Sequence, residues 1–143
     1  MKHLTKITFF LILFTFFFNF SCNKDDRIPY VYVNSQVYLN SGIFQDLKIA
    51  GNWMYLSGGA RGLIVFCVYP EEYLVFDRNC TFEPYNDSAR IYVDETNMFA
   101  VCKHCESKFN LYDGSVVSGD AKYWLLQYGT RLENDILYIY NTY

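Results

Sequence analysis

Three thiols and one imidazole are the side chains whose types and spacing could do chemistry. Cys102 and Cys105 bracket Lys103 and His104 in CKHCESKFNLYDGSVVSG, residues 102–119, and Cys80 lies upstream in DRNCTFEP. C-x2-C is a common zinc-knuckle spacing, because two thiolates three residues apart on a tight loop can meet one ion. With Cys80 and His104 the set becomes Cys3His, a donor set suited to zinc. His104 is also the only histidine beyond His3, so a Ser–His or Cys–His nucleophile would have to use it. Its neighbour Cys105 is poorly placed for that, since adjacent loop residues rarely hold mutual hydrogen-bond geometry and no acid stands by to orient the ring. A hydrolase is not expected, and the chain reads as a non-enzyme. The acidic pairs Asp25-Asp26 and Glu71-Glu72 read as solvated charge. Gly58-Gly59 lies in a turn region, not in a phosphate cradle between a strand and a helix.

The elements that must hold these thiols are short and extended. YVYV (30–33) and QVYL (36–39) are runs of β-favouring residues separated by Asn34-Ser35. LIVFCVY (63–69) is a continuous apolar strand with turn residues on both sides, and YLVF (73–76) completes a hairpin with it. In that strand Cys67 is most simply a buried core residue. RIYV (90–93) and MFAV (98–101) flank the turn at 94–97. LLQY (125–128), a turn at 133–135 and ILYIY (136–140) close the chain. No stretch carries a helical stripe of three turns, and FQDL (44–47) is long enough for one turn only. Several short strands joined by Gly, Asn, Asp and Pro turns predict a single all-β domain, an antiparallel sandwich or barrel. Its many tyrosines are expected to lie half-buried on strand faces.

The 143-residue chain begins with a segment of another kind. MKHLTKITFFLILFTFFFNFSC opens on Lys2, His3 and Lys6, runs apolar from 7 to 18 and ends on small Ser21 before Cys22, the layout of a secretory signal. The apolar run is shorter than the roughly 20 residues of a bilayer-spanning helix. Ser21-Cys22 resembles the end of a bacterial lipobox, in which the cysteine thiol is lipidated, although Asn19 and Phe20 depart from its usual residues. The expected organisation is a signal peptide at 1–21, a lipidated tether at 22–29 and a β domain at 30–143. Asn23-Lys24-Asp25-Asp26 is similar to the signal that sends some Gram-negative lipoproteins to the outer membrane, facing either the periplasm or the cell surface. Removing the leader takes away Lys2 and Lys6 and no acid, which moves the formal charge from −3 to −5. An acidic chain of this kind is not expected to bind nucleic acid by bulk charge.

Residues 62–84, GLIVFCVYPEEYLVFDRNCTFEP, together with the second cysteine loop and the closing strands, resemble a Rieske [2Fe–2S] domain over most of 62–140. The second match includes Ser107, Phe109, Gly114, Gly119, Ala121 and Leu125. The resemblance implies a Rieske-like antiparallel β sandwich or barrel with two ligand loops at one end. In that family two thiolates hold one iron and two imidazoles hold the other. Cys80 and Cys102 stand at the thiolate positions. Phe82 stands at the first imidazole position and Cys105 at the second, so the motif is degenerate. Glu106 stands where the family has a glycine, and Asp120 where it has the proline of the covering loop. In this loop type the residue before the last ligand points away from the cluster, which turns His104 outward.

The resemblance also implies that loop sulfurs which would share a metal lie near one another. A disulfide is therefore expected as the clamp between the loops, Cys80 with Cys102 or, failing that, with Cys105. The function expected is that of an envelope lipoprotein whose Rieske-like domain has lost its histidine ligands. It would carry no cofactor and serve as a non-redox structural or interaction module for an unidentified protein partner, held to the membrane by its lipid. The alternative is a metal or redox protein, with a [2Fe–2S] cluster on a non-standard ligand set or zinc on Cys80, Cys102 and Cys105.

Overall fold

The computed structural model describes residues 27–142; the leader, the expected lipidation site Cys22 and the first part of the tether lie outside them. Among the described residues the regular structure is ten strands and one short 3-10 turn at Gln45–Lys48. They are β1 (Asn34–Tyr38), β2 (Trp53–Leu56), β3 (Leu63–Tyr69), β4 (Glu72–Asp77), β5 (Ile91–Val93), β6 (Phe99–Cys102), β7 (Lys108–Asn110), β8 (Val116–Ser118), β9 (Gln127–Glu133) and β10 (Ile136–Tyr140). All pairings are antiparallel. One sheet runs β1-β10-β9-β4-β3-β2 and the other β5-β6-β7-β8. The all-β antiparallel class expected from the sequence is the one observed.

Strand β3 organises the interior. Its side chains alternate between two cores: Ile64, Phe66 and Val68 face one, and Leu63, Val65 and Cys67 face the other. A strand buried on both faces has no polar positions to alternate with, which is why 63–69 reads as an unbroken apolar run. The first core is shared with the smaller sheet through Ile91, Ala100 and Phe109. The second gathers Val37 of β1, Leu137 and Ile139 of β10, Tyr128 of β9 and Val75 of β4 around Val65. Strands β1 and β3 supply side chains to this one core although three others separate them in the sheet, as a curled sheet allows. Leu47, fully buried on the 3-10 turn, plugs the same core.

Several boundaries differ from those expected. Residues 30–33 are not a strand; β1 begins at Asn34, and Asn34 and Ser35 pair with Tyr140 and Ile139 of β10. Pairing to an established partner outweighs the weak strand preference of these two residues. The closing strand begins at Gln127, not at Leu125. Cys67 is fully buried, and its thiol donates to the Tyr69 carbonyl at 3.1 Å beside an irregularity in the β3–β4 register.

Candidate metal centre

Two loops at one end of the small sheet bring the thiols together. The first leaves β4 and reaches β5. It is pinned at its base by an isolated bridge between Asn79 and Arg90 and by the Cys80 N–H donating to the Ala89 carbonyl at 2.9 Å. The second is the β6–β7 turn. There Glu106 N–H donates to the Cys102 carbonyl at 2.8 Å and Cys102 N–H to the Ser107 carbonyl at 2.9 Å. Closing that turn needs a left-handed residue, and Glu106 adopts φ 59°. A side chain in that region is strained, which gives a local reason for a glycine at this position.

A third segment, between β8 and β9, covers both loops. Thr81 Oγ1 donates to the Tyr123 carbonyl at 2.7 Å, and Ala121 N–H donates to Ser107 Oγ at 2.9 Å. Ser107 is fully buried, so its hydroxyl ties the covering segment to the second cysteine loop.

The sulfurs of Cys80, Cys102 and Cys105 all lie within 4.8 Å of one another. Cys80 Sγ and Cys105 Sγ are 3.6 Å apart, and Cys105 Sγ lies 3.1 Å from Ser107 Oγ. Cys80 and Cys102 have no exposure, whereas Cys105 is partly open. All three belong to or pack against the first core, as does the Phe82 ring. All four described cysteines are free thiols, so the Cys80–Cys102 bond expected as an interloop clamp is not formed here.

The sulfur environment is polarised. A hydrogen bond from the Cys80 thiol holds the Cys102 thiol below its ordinary pKa despite burial, assisted by the N–H groups of Cys105 and His104 and by the Cys105 side chain. The same pairing, together with desolvation, drives Cys80 upward against the pull of the Phe82 N–H. Amide donors aimed at sulfur are what a buried thiolate, or a metal thiolate, requires.

His104 does not join the cluster. Its Nε2 lies 3.2 Å from Glu83 Oε2 and 3.0 Å from Asn86 Nδ2, on the outer side of the first loop. The Cys3His set is therefore reduced to three sulfurs.

Sequence reasoning passed over the scaffold under the first loop. Asp77, fully buried at the end of β4, accepts from Ala60 N–H at 2.7 Å, Arg61 N–H at 3.2 Å, Asn79 N–H at 2.8 Å and Tyr128 Oη at 2.8 Å. Arg61 then reaches under the loop. Its Nε donates to Asn79 Oδ1, Nη1 to the Asp87 carbonyl at 3.1 Å and Nη2 to the Asn86 carbonyl at 2.6 Å. Asn79 Nδ2 adds a bond to the Pro84 carbonyl at 2.9 Å. The juxtaposition of Gly58-Gly59-Ala60-Arg61 with an acid at a strand end was the available signal.

Fold and site together define a class: an antiparallel all-β domain with a three-cysteine cluster held between two loops. No family model matches the chain, and no curated protein matches it. Among solved structures it is similar to the ferredoxin of carbazole 1,9a-dioxygenase from Nocardioides aromaticivorans IC177. The identity is 9%, the match covers 81% of this chain and 100% of that one, and the TM-score is 0.47.

Proposed function

We propose that the chain is a lipid-anchored envelope protein whose Rieske-like β domain no longer holds a [2Fe–2S] cluster and acts as a non-redox structural or interaction module. One observation carries this reading. Where such a cluster needs two thiolates and two imidazoles, the converging donors among the described residues are three sulfurs, and Phe82, a hydrocarbon ring, packs against the same core. His104 cannot make up the loss from the outer side of the loop, where it meets Glu83 and Asn86. The donor set does not fit the cluster.

The envelope setting rests on the leader and on Cys22. We place the protein at the outer membrane, anchored by lipid, with a protein partner and without catalytic activity. Its acidity disfavours nucleic acid. Purification from its own membrane without air, followed by reduction, tests the central claim. Neither a paramagnetic iron–sulfur signal nor acid-labile sulfide is expected, and stoichiometric sulfide would overturn it. Mass spectrometry of the Cys22 peptide tests the anchor separately, since an unmodified thiol there would remove it.

A second reading, a metal-thiolate protein, is favoured by the mutual approach of Cys80, Cys102 and Cys105 within 4.8 Å. Zinc would use these three sulfurs and would have to find its fourth ligand elsewhere.

A further inference from the structure

We infer that the three sulfurs of Cys80, Cys102 and Cys105 form a three-coordinate site for a soft monovalent cation, Cu(I), in preference to zinc. This rests on the proposal that the iron–sulfur cluster is lost, and it assigns the vacated position a new occupant.

An ion held by three sulfurs in one plane at bonds of ~2.3 Å keeps them about 4 Å apart. The sulfurs here lie within 4.8 Å of one another, with Cys80 and Cys105 at 3.6 Å, so little movement is needed to close on one ion. The donors are all thiols, and soft thiolate sets select Cu(I), zinc and iron–sulfur centres among biological metals.

Coordination number separates the first two. Zinc in a structural site takes four ligands. Among the described residues the cluster of potential metal ligands ends at three, with His104 turned to Glu83 and Asn86. Ser107 Oγ, 3.1 Å from Cys105 Sγ, is a neutral hydroxyl already accepting the Ala121 N–H. Zinc would have to complete its shell with water beside two fully buried sulfurs. Cu(I), a closed-shell monovalent ion, is satisfied by three sulfurs and makes no such demand.

The shell around the sulfurs suits an electron-rich metal thiolate. The N–H groups of Phe82, His104 and Cys105 reach the cysteine sulfurs, and such outer contacts orient and stabilise ligands. Burial of Cys80 and Cys102 keeps solvent from two of the three sulfurs, which would help guard a bound Cu(I) against oxidation. Binding displaces protons from the thiols that carry them and requires no change of oxidation state.

The test is an anaerobic titration of the full-length, reduced protein with Cu(I) in competition with a chromophoric Cu(I) chelator, then with zinc in tenfold excess. The expected result is one Cu(I) per chain and protection of Cys80, Cys102 and Cys105 from alkylation by peptide mapping. X-ray absorption should show a single shell of three sulfurs, and zinc should not displace the ion. Cys105→Ser should weaken Cu(I) binding by at least about 100-fold, the upper end of what even an outer-shell partner costs. The metal-free variant should melt like the wild type, because Cys105 is only partly buried. Stoichiometric displacement by zinc, unchanged affinity in Cys105→Ser, or a native disulfide consuming two of the three thiols would each overturn the assignment. Iron and sulfide in the isolated protein would instead overturn the reading beneath it.

Discussion

Gly119 lies against Ser107 so closely that a Cβ on the glycine would stand 2.4 Å from Ser107 Cα and 2.7 Å from its Oγ. The glycine also has φ +92°, a region side chains rarely enter. The covering segment therefore reaches the cysteine loop only because residue 119 has no side chain. Gly119→Ala should cost about 3 kcal/mol through combined steric and backbone strain, read by urea denaturation. It should also raise the alkylation rate of Cys105, whose sulfur neighbours the displaced Ser107 hydroxyl.

Asp77 is expected to be the least replaceable polar residue. Asp77→Ala leaves donors from Ala60, Arg61, Asn79 and Tyr128 without their acceptor, and should cost at least about 3 kcal/mol. Tyr128→Phe removes one of those bonds and keeps the ring in the second core, so its cost should be about 1–2 kcal/mol. Equal losses in chemical denaturation would refute the hub description.

The ion pair between Lys48 and Asp135 sets an acid dependence. Lys48 Nζ donates to Asp135 Oδ1 at 2.9 Å and Asn40 Nδ2 to Oδ2 at 2.9 Å, which holds the Asp135 carboxyl below its ordinary pKa. A carboxyl lowered in the folded state adds stability above its unfolded pKa of about 3.9 and loses it as pH falls through the folded value. Asp135→Asn should therefore be slightly less stable than the wild type at neutral pH, and the two should converge well below pH 4. The pair is solvent-exposed, so the gap is small and shrinks with salt. A gap that widens on acidification would contradict this sign.

Thiol reactivity in the native, metal-free protein should follow burial. Cys105 is partly open, whereas Cys67 is fully buried and burial pushes its pKa upward despite a hydrogen bond with Tyr73. Iodoacetamide should modify Cys105 at least about tenfold faster than Cys67, measured by peptide mapping over time. Equal rates would mean that the second core opens as easily as the loop.

What could be read from the sequence divides by length of pattern. β3 and β10 were expected at residues 63–69 and 136–140, where they lie, because seven and five consecutive apolar or aromatic residues between turns leave little choice. The three-residue strands β7 and β8 are too short for any period to register, and they exist because β6 offers β7 a ladder and β7 offers one to β8. β2 follows the 3-10 turn, and its four residues are all half-buried, so no alternation of buried and exposed positions marks it. At the site, the C-x2-C spacing picked out Cys102 and Cys105, and the family resemblance added Cys80 to the sulfur triad. The exclusion of His104 came from the family resemblance of its loop, and the structure identifies the partners that hold it outside. The Asp77–Arg61 brace joins residues 16 apart through a backbone turn, and no side-chain spacing encodes such a contact.

Asn141 accepts the Val33 N–H at 2.6 Å and donates to the Val31 carbonyl at 3.2 Å, just beyond the rung where Asn34 faces Tyr140. Tyr140 in turn faces Gly129, one residue past the Tyr128–Val75 rung, so the start of β1 and the end of β10 both lie toward the side where β4 runs out to Cys80. A polyhistidine tag added beyond β10 would extend from that same side of the sheet and bring extra imidazoles, which compete for the same metals. Metal affinities for this domain should accordingly be measured on untagged material, or with the handle moved to the hairpin tip at Glu71 on the opposite side.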